Sequence, residues 1–219
     1  MTDAWVERGF ISFDTETTGI DVSTDRIVTA AAVTFAEGLP LDSRSWLLAV
    51  DVDIPESASA VHGITTQMSR ESGVDPREAL AQMRAHLVDS ELPIVCFKSD
   101  FDIPVLDANL VRCGLEPLPD NLAVCALVID KQFNKYVRGK AQRRLQTTAA
   151  RYGIELSDDE WHGAEADAIA TGRIFLAEVG AYPELAAMSL AELAEAVNLW
   201  RVEQDREFHE WLARQPPRS

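Results

Sequence analysis

Apolar residues fall along this chain in two kinds of run, and each predicts a different element. Short runs rich in β-branched and aromatic residues predict strands. They occupy residues 9–13, 27–35, 45–50, 93–97 and 122–129. Residues 37–40 read as a turn and residues 52–66 as irregular chain. Apolar positions three and four apart predict helices. One covers 75–89, opened by Asp75 as a cap and Pro76 in first position, with Leu80, Met83 and Leu87 facing a core. A second starts at Ser99 or Asp100, carries Pro104 in its first turn and stops at Gly114. A third, 145–152, stops at Gly153. A fourth, 163–179, has a small-residue face of Ala164, Ala168 and Thr171 that permits close packing. The last, from Pro183 to about Arg214, places Trp200, Phe208 and Trp211 near one face as a packing or association element.

Three early strands form an antiparallel meander, and strand then alternates with helix. That order predicts an α/β fold, a mixed sheet with helices on both faces. Residues 1–180 form the main domain and residues 181–219 a helical extension packed on it.

The chain has 219 residues, 47% of them apolar and 26% charged, an ordinary globular balance. No apolar run reaches membrane length, and the first residues lack the basic and apolar regions of a signal peptide, so a cytoplasmic protein is expected. Cys96, Cys113 and Cys125 have neither disulfide nor zinc spacing. A net charge of −16 argues against an extended, sequence-independent grip on duplex nucleic acid, which needs many phosphate contacts. It leaves room for an enzyme that holds a few nucleotides through bound cations. The run from Lys131 to Arg144 is the exception, with six basic residues and no acidic one. It is either a solvated loop or a guide for a single strand.

Five residues are candidates for chemistry. Asp14 and Glu16 are two apart at the end of the first strand and share a face. They are a solvated strand-to-turn junction or a pair held by a hard divalent cation, which prefers oxygen ligands. Asp102 reads equally as a first-turn helix acid, Asp167 as an exposed helix acid like Glu165, and His162 as a loop histidine beside a helix start. Because 165 and 167 lie on nearly opposite helix faces, only one of them faces the sheet.

Taken together these residues resemble the histidine-bearing subgroup of the DEDD exonucleases, which includes the epsilon proofreading subunit of bacterial DNA polymerase III and ribonuclease T. The resemblance rests on Phe13-Asp14-Thr15-Glu16-Thr17-Thr18-Gly19, on Phe101-Asp102-Ile103-Pro104-Val105-Leu106 and on His162-Gly163-Ala164-Glu165-Ala166-Asp167-Ala168. Val61-His62-Gly63-Ile64-Thr65 matches a further segment between the first two, and the likeness spans residues 9 to about 180.

The resemblance implies a ribonuclease H-like five-stranded sheet ordered 3-2-1-4-5. It implies two Mg²⁺ or Mn²⁺ ions on Asp14, Glu16, Asp102 and Asp167, with His162 as general base. The implied activity is 3′→5′ hydrolysis of nucleic acid to 5′-mononucleotides, with single-stranded DNA the favoured substrate. Thr15, Thr17, His62, Gly63, Ile64 and Phe101 are the implied substrate contacts. A second copy of the chain or a polymerase is the partner expected at the C-terminal helix. The alternatives are an exoribonuclease of the same family and a non-catalytic nucleic-acid-binding or polymerase-associated module. Two departures stand out. Phe97-Lys98-Ser99 replaces the family's His-Asn-Ala, and Cys125 occupies a position that is often acidic in the family.

Overall fold

The computed structural model describes residues 8–119, 123–155 and 163–215. The meander is β1 (Phe10–Thr17), β2 (Ile27–Ala36) and β3 (Leu39–Leu47). Three helices follow: α1 (Glu56–His62), α2 (Thr66–Ser72) and α3 (Pro76–Asp89). Then come β4 (Ile94–Cys96), α4 (Ser99–Arg112), β5 (Ala123–Cys125) and α5 (Ala126–Phe133). A 3₁₀ turn at Lys140–Arg143 leads to α6 (Leu145–Arg151), α7 (Ala164–Ala181), α8 (Pro183–Ala187) and α9 (Leu190–Ala213).

The sheet order is 3-2-1-4-5. β1 is antiparallel to β2 and parallel to β4, so strand direction switches at the central strand. Alternation along β1 divides the core. Ile11 and Phe13 join Leu80, Met83, Leu87, Leu106 and Leu110 from α3 and α4. Phe10 faces the other way, with Val33, Phe35, Phe175 and Val197. There Phe10 stacks on Phe35 at 5.0 Å and meets Phe175 edge-on at 5.1 Å.

The small-residue face of α7 lets it close on the sheet. Ala168 and Thr171 are fully buried, and a Cβ added at Gly172 would lie 2.2 Å from the Phe35 ring. The Ser12 hydroxyl, also buried, donates to the Ala168 carbonyl at 2.6 Å and ties β1 to α7.

Several elements differ from the expectations. β1 runs on through Thr17, so Asp14 and Glu16 lie within the strand. β3 begins at Leu39 because it is a sheet edge: its first seven residues are exposed and carry no apolar alternation. Pro40 is tolerated there, since an edge strand has an unpaired side. Residues 52–66 contain α1, which buries no residue, and lead into α2, which Thr65 caps through its side chain. Such short helices show no apolar stripe. β5 ends at Cys125 and α5 starts at once, because a continuous apolar run has no period to separate strand from helix. Leu122 lies outside the described residues. Pro104 is the sixth residue of α4 rather than part of its first turn.

The C-terminal segment is two helices. Ser189 opens α9 with a reciprocal capping box, its hydroxyl accepting from the Glu192 N–H and its own N–H donating to the Glu192 carboxylate. α9 lies against α5 and the edge strand β5, with Leu193 and Val197 fully buried. Trp200 meets Phe133 edge-on at 5.8 Å. Phe208 and Trp211 instead stay about half exposed and stack on each other at 5.9 Å. The aromatic stripe therefore covers the domain only at its near end. No helix among the described residues is long and apolar enough to cross a membrane.

Candidate active site

The C-terminal half of β1 alternates Asp14, Thr15, Glu16, Thr17, and the two sheet faces receive different members. Asp14 and Glu16 point with Ser12 toward α7. There Asp167 meets them, and oxygens of the three carboxylates lie within 4.8 Å of one another. Glu165, two residues earlier on α7, points elsewhere and accepts hydrogen bonds from Ser43 and Ser45 on β3. The choice between the two helix acids is thus made by the fold.

Thr15 faces the opposite layer, where its hydroxyl donates to Asp102 Oδ1 at 2.8 Å. Asp102 is 4% exposed on α4, whereas its neighbour Asp100 is exposed. Asp102 lies close enough to Asp14 and Glu16 to raise the proton affinity of both. One strand end therefore collects four carboxylates, two of its own and one from each helix layer.

Their electrostatics follow from crowding. Burial, then Asp102, Asp167 and Glu16, push the Asp14 carboxyl well above the usual carboxylate range. Burial, then Asp167 and Asp102, raise Glu16 to about 8. Burial raises Asp102 to about 7, against the opposing hydrogen bonds from Thr15. Without a counter-charge such a cluster retains protons. The donors are all carboxylate oxygens, and those of Asp14, Glu16 and Asp167 converge within 4.8 Å of one another. That set fits a hard divalent cation such as Mg²⁺ or Mn²⁺.

The residues expected to contact substrate have these surroundings. Thr17 is buried, and its hydroxyl donates to the Gly19 carbonyl at 2.6 Å. His62 Nδ1 accepts from the Ile64 N–H at 3.1 Å, which fixes the ring. Burial lowers the His62 pKa, opposed by the nearby Thr17 backbone. Gly63 ends α1 in a left-handed conformation, φ 76°, which suits glycine. Ile64 and Phe101 are half-buried at the rim of one core cluster. Lys98, at the α4 N-terminus, holds its ammonium 5.5 Å from the Phe101 ring centroid. The Thr15 hydroxyl is engaged with Asp102. His162 lies outside the described residues.

Two contacts were not anticipated. Thr15 orients Asp102, a role hidden in a motif that names the residue without its partner. Arg201 on α9 donates from Nη2 to the buried Ser99 hydroxyl at 2.8 Å, in the first turn of the helix that carries Asp102. No local pattern announces a contact across 102 residues of chain. Cys125, the departure in β5, is buried, and its thiol donates to the Phe97 carbonyl. Burial pushes that thiol's pKa up.

Residues 11–175 match a family of proteins described as exonuclease, of the RNase T type. The epsilon subunit of DNA polymerase III from Treponema pallidum is 31% identical over 161 residues, which cover 73% of this chain and 71% of the subunit. The PolC-type DNA polymerase III of Mycoplasma genitalium is 24% identical over 86% of this chain, and the chain spans only 13% of that polymerase. Among solved structures, Escherichia coli exonuclease I in a zinc-bound complex with single-stranded DNA superimposes with a TM-score of 0.71. It is 21% identical, over 80% of this chain and 41% of that one, a likeness of fold.

Proposed function

This chain belongs to the exonuclease family, and from that membership we propose that it is a metal-dependent 3′→5′ exonuclease acting on single-stranded nucleic acid, DNA before RNA. The observation that carries the reading is the meeting of Asp14, Glu16 and Asp167 within 4.8 Å at the end of β1, with Asp102 beside them. These four carboxylates would hold two Mg²⁺ or Mn²⁺ ions. When bound, such ions stabilise charge on the attacking and leaving oxygens of a phosphodiester.

The remaining roles belong to the chain itself. Thr15 holds the Asp102 carboxylate in one orientation through its hydroxyl. Thr17, His62, Gly63 and Ile64 form one wall for the terminal nucleotide and Phe101 another, with Lys98 placed to meet a phosphate. His162 takes the proton from the attacking water, its ordinary pKa lying near neutrality. DNA is favoured because the relatives are DNA polymerase III proteins by name and the exonuclease I complex holds single-stranded DNA. Residues 1–180 carry this chemistry, and residues 181–219 brace it. The exposed Phe208 and Trp211 are where a second copy or a polymerase partner would dock.

The test is incubation with 3′- and 5′-labelled single-stranded DNA and RNA in Mg²⁺, Mn²⁺ or EDTA. The expected result is stepwise loss from the 3′ end, abolished by EDTA. Metal-independent cleavage, or endonucleolytic products, would overturn the reading. Binding without turnover in either metal would favour the non-catalytic module, which the presence of all four carboxylates opposes.

A further inference from the structure

From Lys131 to Ile154 the chain carries seven of its twenty Lys and Arg residues and not one Asp or Glu, in a protein of net charge −16. The structure sorts these cations into two groups. Arg143 and Arg151 turn inward to Asp130, which is fully buried in α5. Arg143 Nη2 also donates to the carbonyls of Asn134 and Val137, at 2.7 and 3.1 Å. Asn134 in turn donates to Asp130 at 2.9 Å and to the Tyr152 hydroxyl at 3.0 Å. The loop between α5 and α6 is thereby held from inside by one buried carboxylate.

Lys135, Arg138, Lys140 and Arg144 face outward, exposed and in no ion pair among the described residues. Among them stands Tyr136, 94% exposed and one of the most solvent-accessible large side chains described. The loop ends at Leu145, which packs against the small cluster of Phe97, Ala126, Ala149 and Ile174. Phe97 directly precedes Lys98 at the start of the helix that carries Asp102.

We propose that Lys135, Tyr136, Arg138, Lys140 and Arg144 form a binding site for single-stranded nucleic acid upstream of the terminal nucleotide. One base stacks on Tyr136, and the four cations meet successive phosphates. The direction of the strand rests on the exonuclease reading; the site itself does not. An aromatic ring set among unpaired cations is the usual platform for a single strand, because every base has a π-face and every nucleotide a phosphate. A cationic patch on a strongly acidic protein also focuses the approach of a polyanion to one place. The Asp130 clamp orders the loop before binding, which reduces the entropy lost on association.

Fluorescence anisotropy with labelled dT15 and rU15 in EDTA, over a range of NaCl concentrations, tests the site without turnover. Tyr136→Ala is expected to weaken binding about fivefold or more, the lower end for loss of one stacked base. Tyr136→Phe is expected to retain it. Replacing all four exposed cations by Ser is expected to lower the slope of log affinity against log salt by about 3, at roughly 0.7 per phosphate on a single strand. In Mn²⁺ the ratio of kcat/KM for the fifteen-mer to that for a trinucleotide is expected to fall in Tyr136→Ala. Parent protein that binds neither oligonucleotide, or variants with parental affinity and salt slope, would overturn the proposal. Parent protein that binds in EDTA but cleaves nothing in metal would leave the site standing and overturn the exonuclease reading.

Discussion

Metal binding is expected to expel protons, by an amount that the carboxylate cluster sets. With Glu16 raised to about 8 and Asp102 to about 7, the metal-free protein at pH 7 holds about 0.9 proton on the first and 0.5 on the second. Coordination requires both ionised. Binding at pH 7 therefore releases about 1.4 protons from these two groups, and at pH 9 about 0.1. The share of the apparent affinity set by these two groups rises about twentyfold over the same interval, as their protonation penalty falls from roughly 22-fold to nearly none, and Asp14 adds to the same trend. Calorimetric titration of Mg²⁺ or Mn²⁺ in two buffers of different ionisation enthalpy reads the proton count directly.

The same groups dictate a pH trend in stability. Both pKa values are raised in the folded state, so their contribution is fully present below the unfolded values of 4.5 and 3.8 and is lost as pH rises through about 7 to 8. The melting temperature of metal-free protein should fall across that window, and the stabilisation by millimolar metal should widen. Glu16→Gln should flatten much of the metal-free decline. An observed enthalpy independent of buffer at pH 7, or a metal-free melting temperature indifferent to pH from 5 to 9, would refute the reasoning.

Three further outcomes are expected. Thr15→Val removes the hydroxyl that orients Asp102 while keeping shape, and should weaken metal binding about tenfold, the range for a hydrogen bond to a charged group; unchanged affinity by calorimetry would refute it. Arg201→Ala should lower kcat and metal affinity by loosening Ser99 at the head of α4, with Arg201→Lys restoring part of both; a variant that loses only melting temperature would show α9 to be a cover and nothing more. His162→Ala should cost roughly two to four powers of ten in kcat with little change in oligonucleotide affinity or melting temperature, and normal turnover would exclude it as the base.

What the sequence reveals and hides follows from the range of each interaction. The pairing of Asp14 with Glu16 is legible because it is local, a consequence of strand alternation two residues apart. The start of α3 is equally legible, since Asp75, Pro76 and Glu78 carry the whole cap, and Asp75 does accept from the Glu78 N–H. The start of α9 was open to the same reading: Ser189 and Glu192 spell a capping box, but Pro183 drew the boundary six residues too early. β3 was hidden for a different reason. Its first residues face solvent at the sheet edge, and an edge strand needs only its hydrogen-bonding neighbour, so its side chains carry no pattern.

The candidate site shows where local reading ends. Asp102 and Asp100 share a helix turn, as Asp167 and Glu165 share another; the family motif singles out Asp102 and Asp167, and packing supplies the physical reason, burying Asp102 and turning Glu165 to β3. The deciding contacts reach β1 from opposite sides. Ser12 bonds α7 on one face and Thr15 bonds α4 on the other, at 2.6 and 2.8 Å. Because side chains alternate, one strand can serve both layers only by interleaving two sets of residues. Ser12, Asp14 and Glu16 form the set that meets α7, and Phe13, Thr15 and Thr17 the set on the side of α4. A one-residue shift of β1 would exchange the sets and send both carboxylates into the apolar layer beneath α4, where Phe13 is fully buried. The antiparallel register with β2, which pairs Asp14 with Ala31 and Glu16 with Thr29, is therefore as necessary to the carboxylate cluster as the acids themselves.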